Sequence, residues 1–167
     1  LDGRDNIVLT SNANYSLHNN WIAIPFTPTS NNVSKISLSM AKTGTPDQIG
    51  SFQLIGGAST PDSDDIRKEA KLASSSLTTL GTSYDWRELA FDNIEVTPRE
   101  QLFLVVKKYG SSSNTINAEY HTGSGTYYTS SDGITWSTQT GNFKIRIYNS
   151  TNLITTLENT VARKRFG

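Results

Sequence analysis

Val33-Ser34-Lys35-Ile36-Ser37-Leu38-Ser39-Met40 alternates apolar and polar side chains along most of its length. In an extended strand, successive side chains point to opposite faces, so Ile36, Leu38 and Met40 share one face and Ser37 and Ser39 the other. That is the pattern of a strand with one buried and one wet face, which belongs to antiparallel sheets. Upstream, Trp21-Ile22-Ala23-Ile24-Pro25-Phe26 repeats it, with Ile22, Ile24 and Phe26 on one side and Trp21 on the other. Short apolar runs closed by turn residues recur at Asn6–Thr10, Ser51–Ile55, Glu69–Ser74, Trp86–Phe91, Leu102–Val106, Asn117–His121, Thr126–Ser130 and Phe143–Tyr148. Asp132-Gly133, between Thr126–Ser130 and Ile134–Trp136, suits the positive φ angles of a type I′ turn and predicts a hairpin. No βαβ alternation is present. Many short strands with frequent turns predict an all-β, antiparallel β-sandwich, jelly-roll-like, over residues 1–150.

Two segments depart from that pattern. Asp62–Lys71 places acids before bases and reads either as one helical turn or as a polar loop leading into a strand. Residues 151–167 carry Leu153, Leu157 and Val161 at four-residue spacing, which fits a short amphipathic helix or else a linker to a following domain. A chain that opens on Leu1 reads as a processed or excised piece of a longer protein.

The 167 residues suffice for one domain with its own core. Charged residues make up 18 %, below the usual fraction of about 25 %, and Ser, Thr, Asn and Gly take their place. Such a hydroxyl-rich surface is common on secreted and virion β-proteins, so an extracellular or virion location is expected. Fifteen basic and fifteen acidic residues cancel, leaving no positive field for nucleic acid or an anionic membrane. No apolar run approaches the roughly 18 residues of a membrane span. Without cysteine there is neither disulfide, thiolate metal site nor thiol nucleophile.

Catalytic constellations are hard to assemble, and no enzyme activity is expected. The histidines are His18 and His121, and serines are so frequent that one near a histidine carries no signal. Ser124 lies in Gly123-Ser124-Gly125, a turn and not a nucleophile elbow. A glycoside hydrolase would need two acids across a cleft, drawn from Asp85, Glu88, Asp92, Glu95, Glu100 and Glu119; acids on a strand face are equally ordinary surface residues. No cofactor is expected. Structural calcium is a lesser alternative at Asp62, Asp64 and Asp65, or at Asp2 and Asp5, although neither cluster has EF-hand spacing.

The aromatic residues carry most of the functional signal. Sugars expose apolar C–H faces that stack on aromatic rings, while their hydroxyls bond to amides and carboxylates. Tyr127 and Tyr128 must point to opposite faces. Tyr120, His121, Tyr128 and Trp136 belong to consecutive elements near the Asp132-Gly133 turn. The candidate ligand-binding set is therefore Trp21, Tyr120, His121, Tyr128 and Trp136 for stacking, with Asn117 and Glu119 for hydroxyls. Tyrosine and tryptophan also fill sandwich cores; Trp86, followed by Leu89 and Phe91, is expected there.

The ordered set Trp21–Phe26, Val33–Met40, Lys42-Thr43-Gly44-Thr45-Pro46, Tyr84-Asp85-Trp86-Arg87-Glu88-Leu89-Ala90-Phe91, Glu100–Val106, Tyr127–Trp136 and Phe143–Tyr148 resembles jelly-roll modules of secreted bacterial, archaeal and phage surface proteins, including carbohydrate-binding and anchoring-type domains. The tail Glu158-Asn159-Thr160-Val161-Ala162-Arg163-Lys164-Arg165-Phe166-Gly167 is similar to a segment of phage tail-hub proteins that re-enters the hub after an inserted domain, with Phe166 where tyrosine is usual. The resemblance implies a non-catalytic module of a virion tail or secreted protein that adheres to polysaccharide or a cell-surface glycan, alongside other domains of its parent. Two rivals stand beside it: a structural spacer of a tail or baseplate, and a glycoside-acting hydrolase.

Overall fold

The structure, a computed structural model, describes residues 12–46, 51–72, 74–149 and 153–157. Its elements in chain order are β1 (Asn12–Ser16), β2 (Trp21–Phe26), β3 (Asn32–Thr43), β4 (Phe52–Gly56), β5 (Ile66–Ala70), α1 (Ser74–Thr79), β6 (Asp85–Glu95), β7 (Leu102–Val106), β8 (Thr115–Ser130), β9 (Ser137–Phe143), β10 (Ile145–Tyr148) and β11 (Leu153–Leu157). The all-β expectation holds, and every strand pairing is antiparallel.

The finer expectation of a two-layer sandwich is not confirmed. The strands form one continuous sheet in the order β11-β10-β3-β8-β2-β7-β4-β5, with β6 on β3 and both β1 and β9 on β8. This sheet curls into a half-barrel. The cause is β8. Its first part pairs with β3 from Met40↔Ala118 to Thr43↔Thr115 and with β1, whereas its last part pairs with β2 through Trp21↔Ser130 to Ala23↔Tyr128. One strand thus carries the hydrogen-bond ladder from one half to the other. Between them the β8–β9 register slips from His121↔Asn142 to Thr126↔Thr140, so residues 122–125 oppose Gly141 alone. Extra residues in one strand bend it and tighten the twist. Gly123 and Gly125 sit at φ 96° and 85° within this bend. At Gly125 a Cβ would also lie 2.7 Å from the carbonyl oxygen of Gly141.

The alternation read from the sequence decides what lies inside the curl. Ile22, Ile24 and Phe26 of β2, Ile36, Leu38 and Met40 of β3, and Ile145 and Ile147 of β10 are buried in one core together with Leu102, Leu104 and Val106 of β7. Each such side chain contributes about 1.5–3 kcal/mol. At the bend the core is aromatic. Tyr120 stacks on Phe143 with centroids 5.0 Å apart, and Tyr15 and Tyr127 meet both edge-on. Burial pushes the Tyr127 hydroxyl well above the usual phenol range, with the neighbouring tyrosines adding to the effect.

Other expectations shift. Within Asp62–Lys71 the second alternative holds: a polar loop to Asp65 leads into the strand Ile66–Ala70, which pairs with β4. The helix is instead Ser74–Thr79. Leu153–Leu157 of the supposed C-terminal helix or linker is a strand on β10; the rest of residues 151–167 and the Asn6–Thr10 run lie outside the described residues. Trp86 is not in the core. It sits on the outer face of β6, paired with Ser39, and Arg146 lies 4.0 Å over its ring.

Gly125→Ala is expected to cost about 1–2 kcal/mol from the left-handed backbone alone, and more from the Gly141 contact. Urea unfolding would register this as a lowered midpoint; an unchanged midpoint would remove the bend from its central place in the fold.

Candidate functional site

The outer face of β2 and its neighbours is unusually apolar. Leu102-Phe103-Leu104-Val105-Val106 does not alternate, so β7 buries residues on both faces. Its outward residues Phe103 and Val105, with Ala23 of β2 and Ile55 of β4, form a second small cluster. Trp21, Tyr128 and Trp136 pack over that cluster and stay partly exposed. Tyr128 meets Phe103 edge-on at 5.9 Å. The pairings Trp21↔Ser130 and Ala23↔Tyr128 place Trp21 and Tyr128 on one face. The outward placement of Trp21 and the opposite facing of Tyr127 and Tyr128 both follow the expected alternation.

Trp136 arrives from the loop between β8 and β9. The expected two-residue turn is here a six-residue connection, 131–136. The Asp132 and Gly133 amides donate to Ser130 Oγ at 3.2 and 2.8 Å, and the Ile134 and Thr135 amides donate to Asp132 Oδ1 at 2.8 and 3.0 Å. The loop is thereby wound on two side chains, a common Asx and Ser device. Gly133 has φ 79°, and a Cβ there would come within 2.6 Å of the Trp21 ring; the loop rests on Trp21. Trp136 Nε1 is buried and has no hydrogen-bond partner among the described residues. The indole is seated by its hydrocarbon surface and not by its N–H.

Beside the rings lies a polar group on the same face. Lys107 Nζ stands 5.6 Å from the Trp21 ring centroid and 3.4 Å from Glu69 Oε2, to which Gln53 Nε2 donates at 3.0 Å. Burial pushes the Glu69 carboxyl up, but the Gln53 hydrogen bond and the Lys107 charge together hold it below its ordinary value. No signal in the sequence joined these three residues; only the β4–β5–β7 pairing does.

The remaining candidates are not part of this group. Tyr120 faces the inner core, stacked on Phe143. Asn117, Glu119 and His121 are buried on the outer side of the first half of β8. Asn117 Nδ2 donates to Thr43 Oγ1 at 2.8 Å; Glu119 accepts from Ser39 Oγ at 2.7 Å and lies 3.3 Å from Lys144 Nζ. These contacts tie β8 to β3 and to the β9–β10 junction.

The acids required by a hydrolase are mostly engaged with cations: Asp85 with Arg87, Glu88 with Lys35, Asp92 with Lys68, Glu100 with Arg67 and Glu119 with Lys144. Glu95 lines a shallow polar depression of about 270 Å³ with Asn31, Asn32 and Asn93. Of the calcium candidates, Asp65 is bound by Arg67 at 2.6 and 2.9 Å, and Asp62 Oδ1 accepts the Asp64 amide. Among the described residues no three acidic or histidine side chains gather as a metal site; Asp2 and Asp5 lie outside those residues. No helix among them is long and apolar enough to cross a membrane.

Comparison with known proteins finds no matching family model, no matching curated protein and no matching solved structure. The site is therefore read from its own chemistry.

The Thr135 and Ile134 amides and the Ser130 hydroxyl hold the Asp132 carboxyl below its ordinary range. A depressed carboxylate stabilises the folded loop above the unfolded pKa, and that contribution fades as pH falls through the folded value. Acid titration followed by tryptophan fluorescence should show this limb through Trp21 and Trp136. Asp132→Ala should flatten it, and an identical limb in the variant would place the acid sensitivity elsewhere.

Proposed function

We propose that this chain is a non-catalytic binding module that holds carbohydrate of a cell surface against the outer face of β2, β8 and β9. One observation carries the reading: Trp21, Tyr128 and Trp136 are gathered over a dry apolar layer with part of each side chain still facing solvent. Aromatic rings present large, rigid, apolar surfaces with a polar tip, which suits the C–H faces of a sugar. Ser and Thr around them and the Glu69–Lys107 pair supply partners for hydroxyls. The jelly-roll description of such modules is the finer form of this reading, as is a place on a virion tail or secreted protein; the hydroxyl-rich surface and the sequence resemblance support both.

The spacer reading has an observation of its own. The three rings shield Ala23, Phe103 and Val105, so they serve packing whether or not a ligand exists.

A glycan array probed with the purified chain separates the two. Retention on at least one glycan is expected, with Trp136→Ala or Tyr128→Ala weakening it about thirtyfold, as for a central aromatic contact worth about 2 kcal/mol. Unfolding midpoints of both variants would exclude simple loss of fold. Glu119→Gln is expected to lower stability, because it removes the charge facing Lys144, while leaving glycan affinity unchanged. Absence of binding across the array would leave the spacer reading standing, and an affinity loss in Glu119→Gln would move the site to the first half of β8.

A further inference from the structure

The outer face is not uniform along the direction that crosses the strands. The register places Tyr128 of β8, Ala23 of β2, Val105 of β7, Gln53 of β4 and Glu69 of β5 in one row. Four interstrand steps at about 4.8 Å separate its ends by about 19 Å. Rings stand at the β8 end and the Glu69–Lys107 pair at the β5 end, with Lys107 reaching back towards Trp21.

We infer that the ligand is an uncharged oligosaccharide lying across the strands, stacked on Trp21 and Tyr128 at one end and hydrogen-bonded by Glu69 and Lys107 at the other. The inference rests on the binding function proposed above and deepens it to a ligand class. Three observations support it. First, Glu69 only accepts hydrogen bonds and Lys107 only donates them, a pairing matched by hydroxyls, which do both. Their side chains are 43 % and 33 % exposed, leaving room for a ligand. Second, the two charges cancel and Glu69 stands beside the only cation in this group, so a uronate or sulfated chain would gain little attraction and would meet a carboxylate. Third, the polar end is held in place. Gln53 is 7 % exposed and fixes Glu69 from below, so little side-chain freedom is lost on binding. Tyr128 stands four strands from Glu69, with Trp21 and Lys107 between them, a span longer than one sugar ring that calls for a chain.

Calorimetric titration of the purified chain tests this with neutral gluco-, manno-, galacto- and xylo-oligosaccharides of one to six units, and with a hexagalacturonate as the acidic counterpart. Affinity should rise about tenfold or more between two and six units in at least one neutral series. Glu69→Gln should remove that gain, and Lys107→Met should do the same. Three results would overturn it: no dependence on length, full retention of the gain in Glu69→Gln, or tighter binding of the hexagalacturonate than of any neutral hexamer. Loss of binding in Trp136→Ala with no effect of Glu69→Gln would reject the cross-strand ligand and keep the stacking function. Absence of binding to every saccharide would reject both.

Discussion

Strand β8 runs from one half of the sheet to the other, and the rest of the molecule follows from how that strand bends. A strand of this length cannot stay straight while both its ends face one core. The residues 122–125 facing Gly141 supply the bend, and glycines at positive φ let the backbone take it. Tyr15, Tyr120, Tyr127 and Phe143 fill the inside of the corner. A sheet that turns a corner in this way buries its inner face against other parts of itself.

The bend also sets the outer face. It swings the end of β8 beside β2, so that the loop 131–136 folds back over Trp21 and delivers Trp136 above Phe103 and Val105. The candidate site is thus a by-product of the same strand that makes the fold, placed by ordered loop hydrogen bonds on Ser130 and Asp132 and not by a flexible tip.

Much of this was legible from alternation, and the failures have identifiable physical causes. Period-2 patterning identified the inward sets of β2 and β3 because their partners are regular over those stretches. It also separated Tyr127 from Tyr128. Tyr120 and Tyr128, grouped because both lie near the Asp132-Gly133 turn, are on different faces although their eight-residue spacing would put them on one in an uninterrupted strand. The slip adds three unmatched residues to β8, an odd number, and that inverts the parity between its halves. Tyr120 therefore faces inward with Tyr127. The polar strand β9 (Ser137–Phe143) was missed, and the charged β5 (Ile66–Ala70) left without bounds, for another reason: exposed side chains leave no apolar period to read. The run Leu102–Val106 did hold the decisive clue. A strand apolar on both faces inside a half-wet sheet requires cover on its outer side, and aromatic residues of adjoining strands are the available cover.

Among the described residues, two aromatic surfaces lie on the outside of the half-barrel, and their charges distinguish them. On β6 and β10 the rings are capped: Arg146 lies 4.0 Å over Trp86 and Lys35 4.6 Å over Tyr148, with Lys35 also bound to Glu88 at 2.6 Å. A ring face occupied by a guanidinium or an ammonium gains its cation–π attraction from within the protein and has no free surface for a sugar. On β2, β8 and β9 the nearest cation is 5.6 Å from Trp21 and is drawn aside by Glu69. There the rings are held from below by apolar contact and each keeps part of its surface exposed, so the energy of covering that part is available to whatever binds.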